Sequence, residues 1–290
     1  VTLSYIILDG PAMISFSGGR TSAYMLHEIL RVNGGLPRDV YAVFANTGKE
    51  KEETLRFVHE CSTRWNVRVH WVEWRAGKEG FAEVGYNSAS RKGEPFEALI
   101  KSKQRLPNTH ERWCTQYLKV MPMFAFMRST LGLEPGQYTE IIGLRDDEGL
   151  RILNGMERAE KDGRTVRYML AKAKVRKANV LKFWLGDNID PKALTVPLPQ
   201  GFDLGLYPWE GNCDFCFQKG KGIRKRLIRD DATVATWWAD REREQSGWFD
   251  KRDTVSELIE QVRVSPTLFD GADEDSDYDV ECGTHCTDAE

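Results

Sequence analysis

The chain has 290 residues, 41% of them hydrophobic and 11% aromatic, which is enough for one large or two modest domains with a proper core. No apolar run approaches the roughly 20 residues of a membrane span, the amino terminus lacks a basic region followed by an apolar stretch and cleavage site, and six cysteines are too few for a disulfide scaffold of this length; a cytoplasmic protein is expected, with no membrane partner. The net charge of −3 does not identify a partner, because it averages a basic stretch, KGKGIRKRLIR from Lys219 to Arg229, with an acidic segment from Phe269 to Glu290.

The first third alternates strands and helices. Ala12 to Ser17 (AMISFS) is a short apolar strand. Thr21 to Val32 then sets Leu26, Ile29 and Leu30 at helical spacing and stops at Gly34 and Gly35. Val40 to Ala45 (VYAVFA) is a second buried strand, Glu52 to Trp65 a helix with Leu55, Val58 and Trp65 on one face, and Val67 to Trp74 (VRVHWVEW) a third strand. Cys61 falls on the apolar face of that helix and reads as a packed core residue. Strands alternating with helices imply an α/β fold with a parallel sheet covered on both faces.

Tyr86 to Trp113 is polar and reads as a long loop or small insertion over the ligand edge of the sheet. Gln116 to Leu131 is helical despite Pro122, and Glu140 to Leu144 (EIIGL) is another strand. A nucleotide-binding core of residues 1–197 is expected to end near Pro197. Residues 198–290 then form a carboxy-terminal extension carrying a CxxC element, a helix over Ile223 to Gln245, and an acidic tail with cysteines.

Ser17-Gly18-Gly19 between a strand and a helix aims backbone N–H groups at one point, where the helix dipole also favours an anion. Glycine lets the backbone approach a phosphate without a Cβ in the way. Ser17, Thr21 and Ser22 add hydroxyls and Arg20 a charge. The same residues also fit a tight turn with a serine N-cap.

SGGRTS resembles the SGGxDS pyrophosphate loop of the adenine-nucleotide alpha-hydrolase superfamily, and FANTGKEKEETLRFVHE (Phe44 to Glu60) resembles the segment after the second strand in its phosphoadenosine phosphosulfate (PAPS) reductase branch. RWCTQYLKVMPM, IIGLRDDE, GNCDFC and the final ECGTH are further similarities, so the resemblance covers most of the chain. It implies a Rossmann-like parallel sheet with an adenine nucleotide (PAPS, adenylyl sulfate (APS), or ATP with Mg) across its carboxyl edge. Ser17, Gly18, Gly19, Thr21 and Ser22 would hold phosphate or sulfate, and Asn46, Thr47 and Gly48 would lie beside the adenosine. Arg145 would meet phosphate oxygens with a fork of donors, or pair with Asp146 or Asp147 at the surface; Lys119 would act likewise or be solvated. Glu50 and Glu53 read as first-turn acids that complement a helix dipole. Thr21 stands where the loop usually has Asp, a departure that bears on magnesium-assisted cleavage of ATP.

By itself Cys213-Asp-Phe-Cys216 leaves zinc, an iron–sulfur cluster and a redox disulfide all open. Cys114, in CTQYLK, matches the place where cluster-bearing APS reductases keep a Cys-Cys pair, with Thr115 in place of the second cysteine. The resemblance therefore implies a 4Fe-4S cluster, with zinc as the alternative, on Cys114, Cys213, Cys216 and a tail cysteine, Cys286 or else Cys282. ECGTH resembles the element that carries the catalytic thiolate of sulfonucleotide reductases, which assigns Cys282 as nucleophile with His285 beside it.

Three functions are open at this point. The first is a sulfonucleotide reductase served by a thiol donor protein. The second is an ATP pyrophosphatase that adenylates and thiolates a small molecule or a nucleic acid, which the basic stretches RTVRYMLAKAKVRKANVLK and KGKGIRKRLIR would contact. The third is a non-catalytic nucleotide-binding regulator.

Overall fold

The computed structural model describes residues 8–211 and 213–264. Six strands make one sheet: β1 (Ala12–Ser15), β2 (Val40–Ala45), β3 (Val69–Trp74), β4 (Phe81–Val84), β5 (Thr139–Ile142) and β6 (Thr165–Arg167), in the order β4-β3-β2-β1-β5-β6. All neighbours pair in parallel except β3 with β4, which pair antiparallel at one edge. The α/β class and the Rossmann-like sheet expected from the sequence are what the chain forms. β4 was not legible, because FAEV is short and only half-buried.

The two faces of the sheet follow the period of two in the strands. Ala12, Ile14, Val40, Ala42 and Phe44 pack with α1 (Arg20–Asn33) and α2 (Glu52–Arg64) through Leu26, Ile29, Leu55, Phe57, Val58 and the fully buried Cys61. Met13, Val43 and Val72 pack on the other face against Met123, Phe126 and Met127 of α5 (Met121–Leu131). α1 ends at Gly34, whose φ of 67° is the left-handed cap conformation that glycine adopts without a Cβ penalty.

The polar stretch expected as a loop over Tyr86–Trp113 contains a helix, α3 (Glu94–Lys103), which buries Phe96, Leu99 and Ile100. Its apolar face is narrow, and Pro95 in the first turn starts it rather than breaking it. After α4 (Trp113–Thr115) a π-helical turn, Gln116–Val120, leads directly into α5. Pro122 follows this π-helical turn within a helical run, as expected: the backbone stays in the right-handed helical region through Val120 and Met121.

Downstream lie α6 (Gly149–Lys161), α7 (Met169–Lys172), α8 (Lys177–Leu185), α9 (Lys221–Asp230), α10 (Thr233–Gln245) and α11 (Val255–Val264). The single helix expected over Ile223–Gln245 is in fact two. Asp231 is extended (φ −155°, ψ 103°), and its carboxylate accepts from the Thr233 N–H at 2.9 Å and the Thr233 hydroxyl at 2.6 Å, starting α10 afresh. Phe215, Phe217, Leu227, Ile228, Trp238, Phe249 and Leu258 form a second core with Phe96, Leu99, Trp113 and Leu118. The chain beyond Pro197 thus packs directly on the insertion between β4 and β5.

Candidate nucleotide and cysteine site

Strand order reverses at β1: the chain winds outward through β2 and β3 on one side and through β5 and β6 on the other. In parallel α/β sheets the crevice at such a switch, outside the carboxyl ends of the strands, is where ligands bind. SGGRTS leaves β1 there, and Arg145 follows β5 there.

Gly18 sits at φ +78°, and a Cβ on it would lie 2.8 Å from Thr54 Cγ2, 3.0 Å from Phe44 and 3.1 Å from Val58, so only glycine fits. Gly19 is the N-cap of α1 in extended conformation; among the described residues no side chain caps the helix, and its first turn holds no acid. The first-turn amides of Arg20, Thr21 and Ser22 are thus not capped by a side chain, an arrangement that suits an anion. The Ser22 hydroxyl donates to Gly19 O at 3.0 Å and lies 2.9 Å from Ser17 Oγ, so both hydroxyls are fixed in the loop. On the far side, Gly143 brings β5 so close that a Cβ there would be 3.3 Å from Ser22 Cα.

Arg145 is 2% exposed, and its Nη1 donates to Thr21 Oγ1 at 2.9 Å. Its Nε also donates to Asp147 Oδ1 at 3.0 Å, so the carboxylate partner and the approach to the loop coexist: the guanidinium is buried, while Asp147 itself is exposed. Arg20 departs from its expected role. Its guanidinium forms a bidentate pair with Asp203, at 2.7 and 2.6 Å with both side chains buried, which leaves its backbone N–H, not its charge, for an anion.

Asn46, Thr47 and Gly48 end β2 as a closed turn. Asn46 Nδ2 donates to Glu73 Oε1 (2.6 Å) and Ser90 O (2.9 Å), and its Oδ1 accepts from the Gly48 N–H (3.1 Å). Gly48, at φ +80°, lets the chain approach Gly93, whose N–H donates to Gly48 O at 2.8 Å. Glu50 precedes α2 instead of starting it. It is buried, accepts from the N–H and hydroxyl of Thr47, and lies 3.9 Å from Lys119 Nζ; burial pushes its carboxyl above the usual value, against the pull of Lys119 and those bonds.

The CDFC turn is fastened to this same edge. Glu50 and Cys213 form an antiparallel bridge, the Asp214 N–H donates to Lys49 O at 2.8 Å, and Lys49 Nζ pairs with Asp214 Oδ2 at 2.6 Å. Cys114, Cys213 and Cys216 thereby line one small cavity of about 20 Å³ together with Thr47, Lys119 and apolar walls from Phe96, Leu118, Phe217 and Trp238. The three thiols form no disulfide, and among the described residues no group of three or more His, Cys, Asp or Glu side chains is arranged to hold a metal ion. Cys282, His285 and Cys286 lie outside the described residues.

Several residues at this edge were not singled out from the sequence. Lys219 is buried, and its Nζ donates to Cys213 O at 2.6 Å; burial lowers its pKa, opposed by the nearby Cys216 and Cys213. Glu73, fully buried, accepts from Asn46 and Ser90 and pairs with Arg75 at 2.7 Å. The only sequence signal for Lys219 was its place three residues after Cys216, and for Glu73 a lone acid in an apolar strand.

The family model described as the phosphoadenosine phosphosulfate reductase domain matches residues 11–164. The chain belongs to this family. The match includes the β1 loop, the Asn46–Glu50 turn, Cys114, Lys119 and Arg145, whereas CDFC and α9 follow it. The chain is also similar to an uncharacterized nin region protein, ORF290, of Escherichia phage lambda, with 30% identity over 71% of this chain and 66% of that protein. An uncharacterized protein of Methanocaldococcus jannaschii is 27% identical over 43% of this chain and 21% of its own length. The matched part of each relative is thus less than two thirds of it. No helix among the described residues is long and apolar enough to cross a membrane.

Proposed function

We propose that this protein binds an adenine sulfonucleotide of the PAPS or APS class at the SGGRTS loop and reduces its activated sulfate. The observation that carries this reading is the convergence of Arg145 on Thr21 at the topological switch point. A carboxylate at position 21 would favour a metal ion. A threonine hydroxyl held by a guanidinium makes the loop a host for an anion instead. The phosphate or sulfate meets the first-turn amides of α1, the loop hydroxyls and Arg145, with Lys119 further along the edge.

In the reductive step the Cys282 thiolate attacks the sulfuryl sulfur. An S–S bond forms, the S–O bond to the nucleotide phosphate breaks, and its electron pair leaves on the phosphate oxygen. A thiol of a donor protein then attacks the Cys282 sulfur and releases sulfite; a second donor thiol resolves the mixed disulfide, so the two electrons come from the thiol pair. His285 is assigned as proton carrier beside that thiolate.

Cys114, Cys213 and Cys216 are proposed ligands of a 4Fe-4S cluster, with Cys286 as the fourth. Their common cavity, soft donors and apolar walls support this, and the nearby Lys119 and Lys219 offset thiolate charge. When bound, such a cluster would cross-link CDFC to the nucleotide edge and hold it rigid; with four thiolates its net charge is negative, so the positive charge at this edge would come from Lys119 and Lys219.

The direct test is to mix anaerobic protein with PAPS or APS without a thiol donor, quench with acid and map peptides by mass spectrometry. A peptide carrying Cys282 plus one SO3 group supports the step. An unmodified Cys282 after nucleotide binding opposes it.

A second reading, ATP-driven transfer of sulfur to a nucleic acid, is favoured by an aromatic and cationic surface beside CDFC. Pyrophosphate formed from ATP would establish that reading. Binding of nucleotide without any turnover would establish the third, a nucleotide-binding regulator.

A further inference from the structure

Immediately before the CDFC turn, Tyr207 and Trp209 stack face to face, with centroids 4.3 Å apart and an interplanar angle of 7°. Lys192 Nζ lies 4.7 Å from the Tyr207 ring centroid, and the Arg226 guanidinium carbon 4.2 Å from that of Trp209. The four side chains thus form one column: cation, ring, ring, cation. Glu210 fixes its base, since Tyr207 N–H donates to Glu210 Oε2 at 2.7 Å and Lys51 and Lys192 both pair with the same carboxylate. The Tyr207 hydroxyl donates to Asp190 Oδ2 at 3.1 Å.

Such a column is held more firmly than its surface position requires. Arg226 is exposed and, among the described residues, has a ring rather than a carboxylate against it, so its charge is not neutralised and its outer face meets solvent. It belongs to the Lys219–Arg229 stretch, which carries six cations and no acid. In α9, Lys221 and Arg224 are taken up by Asp253 and Asp250. Arg226 on the column's end is left for a ligand.

We propose that the Lys192–Tyr207–Trp209–Arg226 column is a binding surface for single-stranded nucleic acid. An unpaired base stacks on the outer face of the Arg226 guanidinium, and a phosphate two or three nucleotides along the strand meets Lys192 at the column's other end, in competition with the Glu210 carboxylate. Splayed bases stack on guanidinium planes as well as on rings, whereas duplex DNA or RNA keeps its bases inside the helix. An acidic peptide would find the charge but gain nothing from the stack. The proposal deepens the nucleic-acid reading above and concerns binding alone, so it is tested without nucleotide or turnover. Its failure leaves the nucleotide site untouched, and failure of either catalytic reading leaves it standing.

The experiment is fluorescence anisotropy of the full chain with labelled single-stranded DNA and RNA oligonucleotides of mixed sequence, with duplex and polyglutamate as competitors, across a salt series. The single strand is expected to bind and to resist both competitors. Arg226→Lys, which keeps the charge and loses the plane, should weaken binding about fivefold or more with an unchanged salt slope. Lys192→Ala should lower that slope by about 0.7. Both side chains are exposed, and unchanged circular dichroism and melting confirm the variants are folded. Equal binding of duplex or polyglutamate, or an Arg226→Lys variant with wild-type affinity, would overturn the proposal, as would no binding at low salt.

Discussion

Arg145 Nη1 donates to Thr21 Oγ1 at 2.9 Å, joining two residues 124 positions apart in sequence at the point where the sheet changes its winding direction. If this pair receives the anionic end of a nucleotide, Arg145→Ala removes a charge-assisted donor worth about 1.5–3 kcal/mol, so affinity should fall about 10- to 150-fold by calorimetric titration. Unchanged affinity would place the anion elsewhere.

Gly18 tests the loop's shape rather than its chemistry. Its positive φ and the 2.8 Å approach of Thr54 predict that Gly18→Ala loses about 1–2 kcal/mol from backbone strain, with more from the clash, read as a lower Tm. A neutral Gly18→Ala would mean that the turn relaxes freely.

The Arg20–Asp203 pair carries a different expectation, one of stability. Asp203→Ala leaves a buried guanidinium without its carboxylate and should cost about 3–5 kcal/mol in denaturant unfolding. Arg20→Met in the same background should recover part of that loss, because it removes the stranded charge. Loss of nucleotide affinity in the folded double variant would return a ligand role to the Arg20 side chain.

These contrasts show what sequence could and could not reveal. β1, its glycine turn and α1 were legible because apolar spacing, glycine placement and the SGGRTS pattern agree. α3 was not, because three apolar residues in a polar stretch give a weak helical period. The Asp203 partner of Arg20 lies 183 residues away, and no local signal links the two. Cys114 and the CDFC pair were joined by family resemblance alone; the Glu50–Cys213 bridge and the shared second core are the physical reasons they meet.

Burial lowers the pKa of His70 below its usual 6.5, outweighing its 2.8 Å contact with Glu83. The unfolded chain therefore binds this proton more readily than the native one. Stability contributed by neutral His70 is present above pH 6.5 and is lost as pH falls through the window below it. His70→Phe, against its neighbours Tyr41 and Phe126, should flatten that acid-side fall in Tm, and an unchanged slope would assign the fall to other groups.

For the cysteines, anaerobic iron and acid-labile sulfide should occur in near-equal amounts and vanish in Cys213→Ser. Cys282→Ser should keep both and lose turnover, whereas Cys286→Ser should lose the cluster. Stoichiometric zinc without sulfide would establish the alternative metal. Iron lost with Cys282 and kept with Cys286 would exchange their roles and favour the ATP-dependent reading.

The most direct measurement is product formation by anaerobically purified protein offered PAPS, APS and ATP separately with a dithiol donor. Sulfite from PAPS or APS, with no pyrophosphate from ATP, is the predicted result. Pyrophosphate from ATP with no sulfite from either sulfonucleotide would contradict the account.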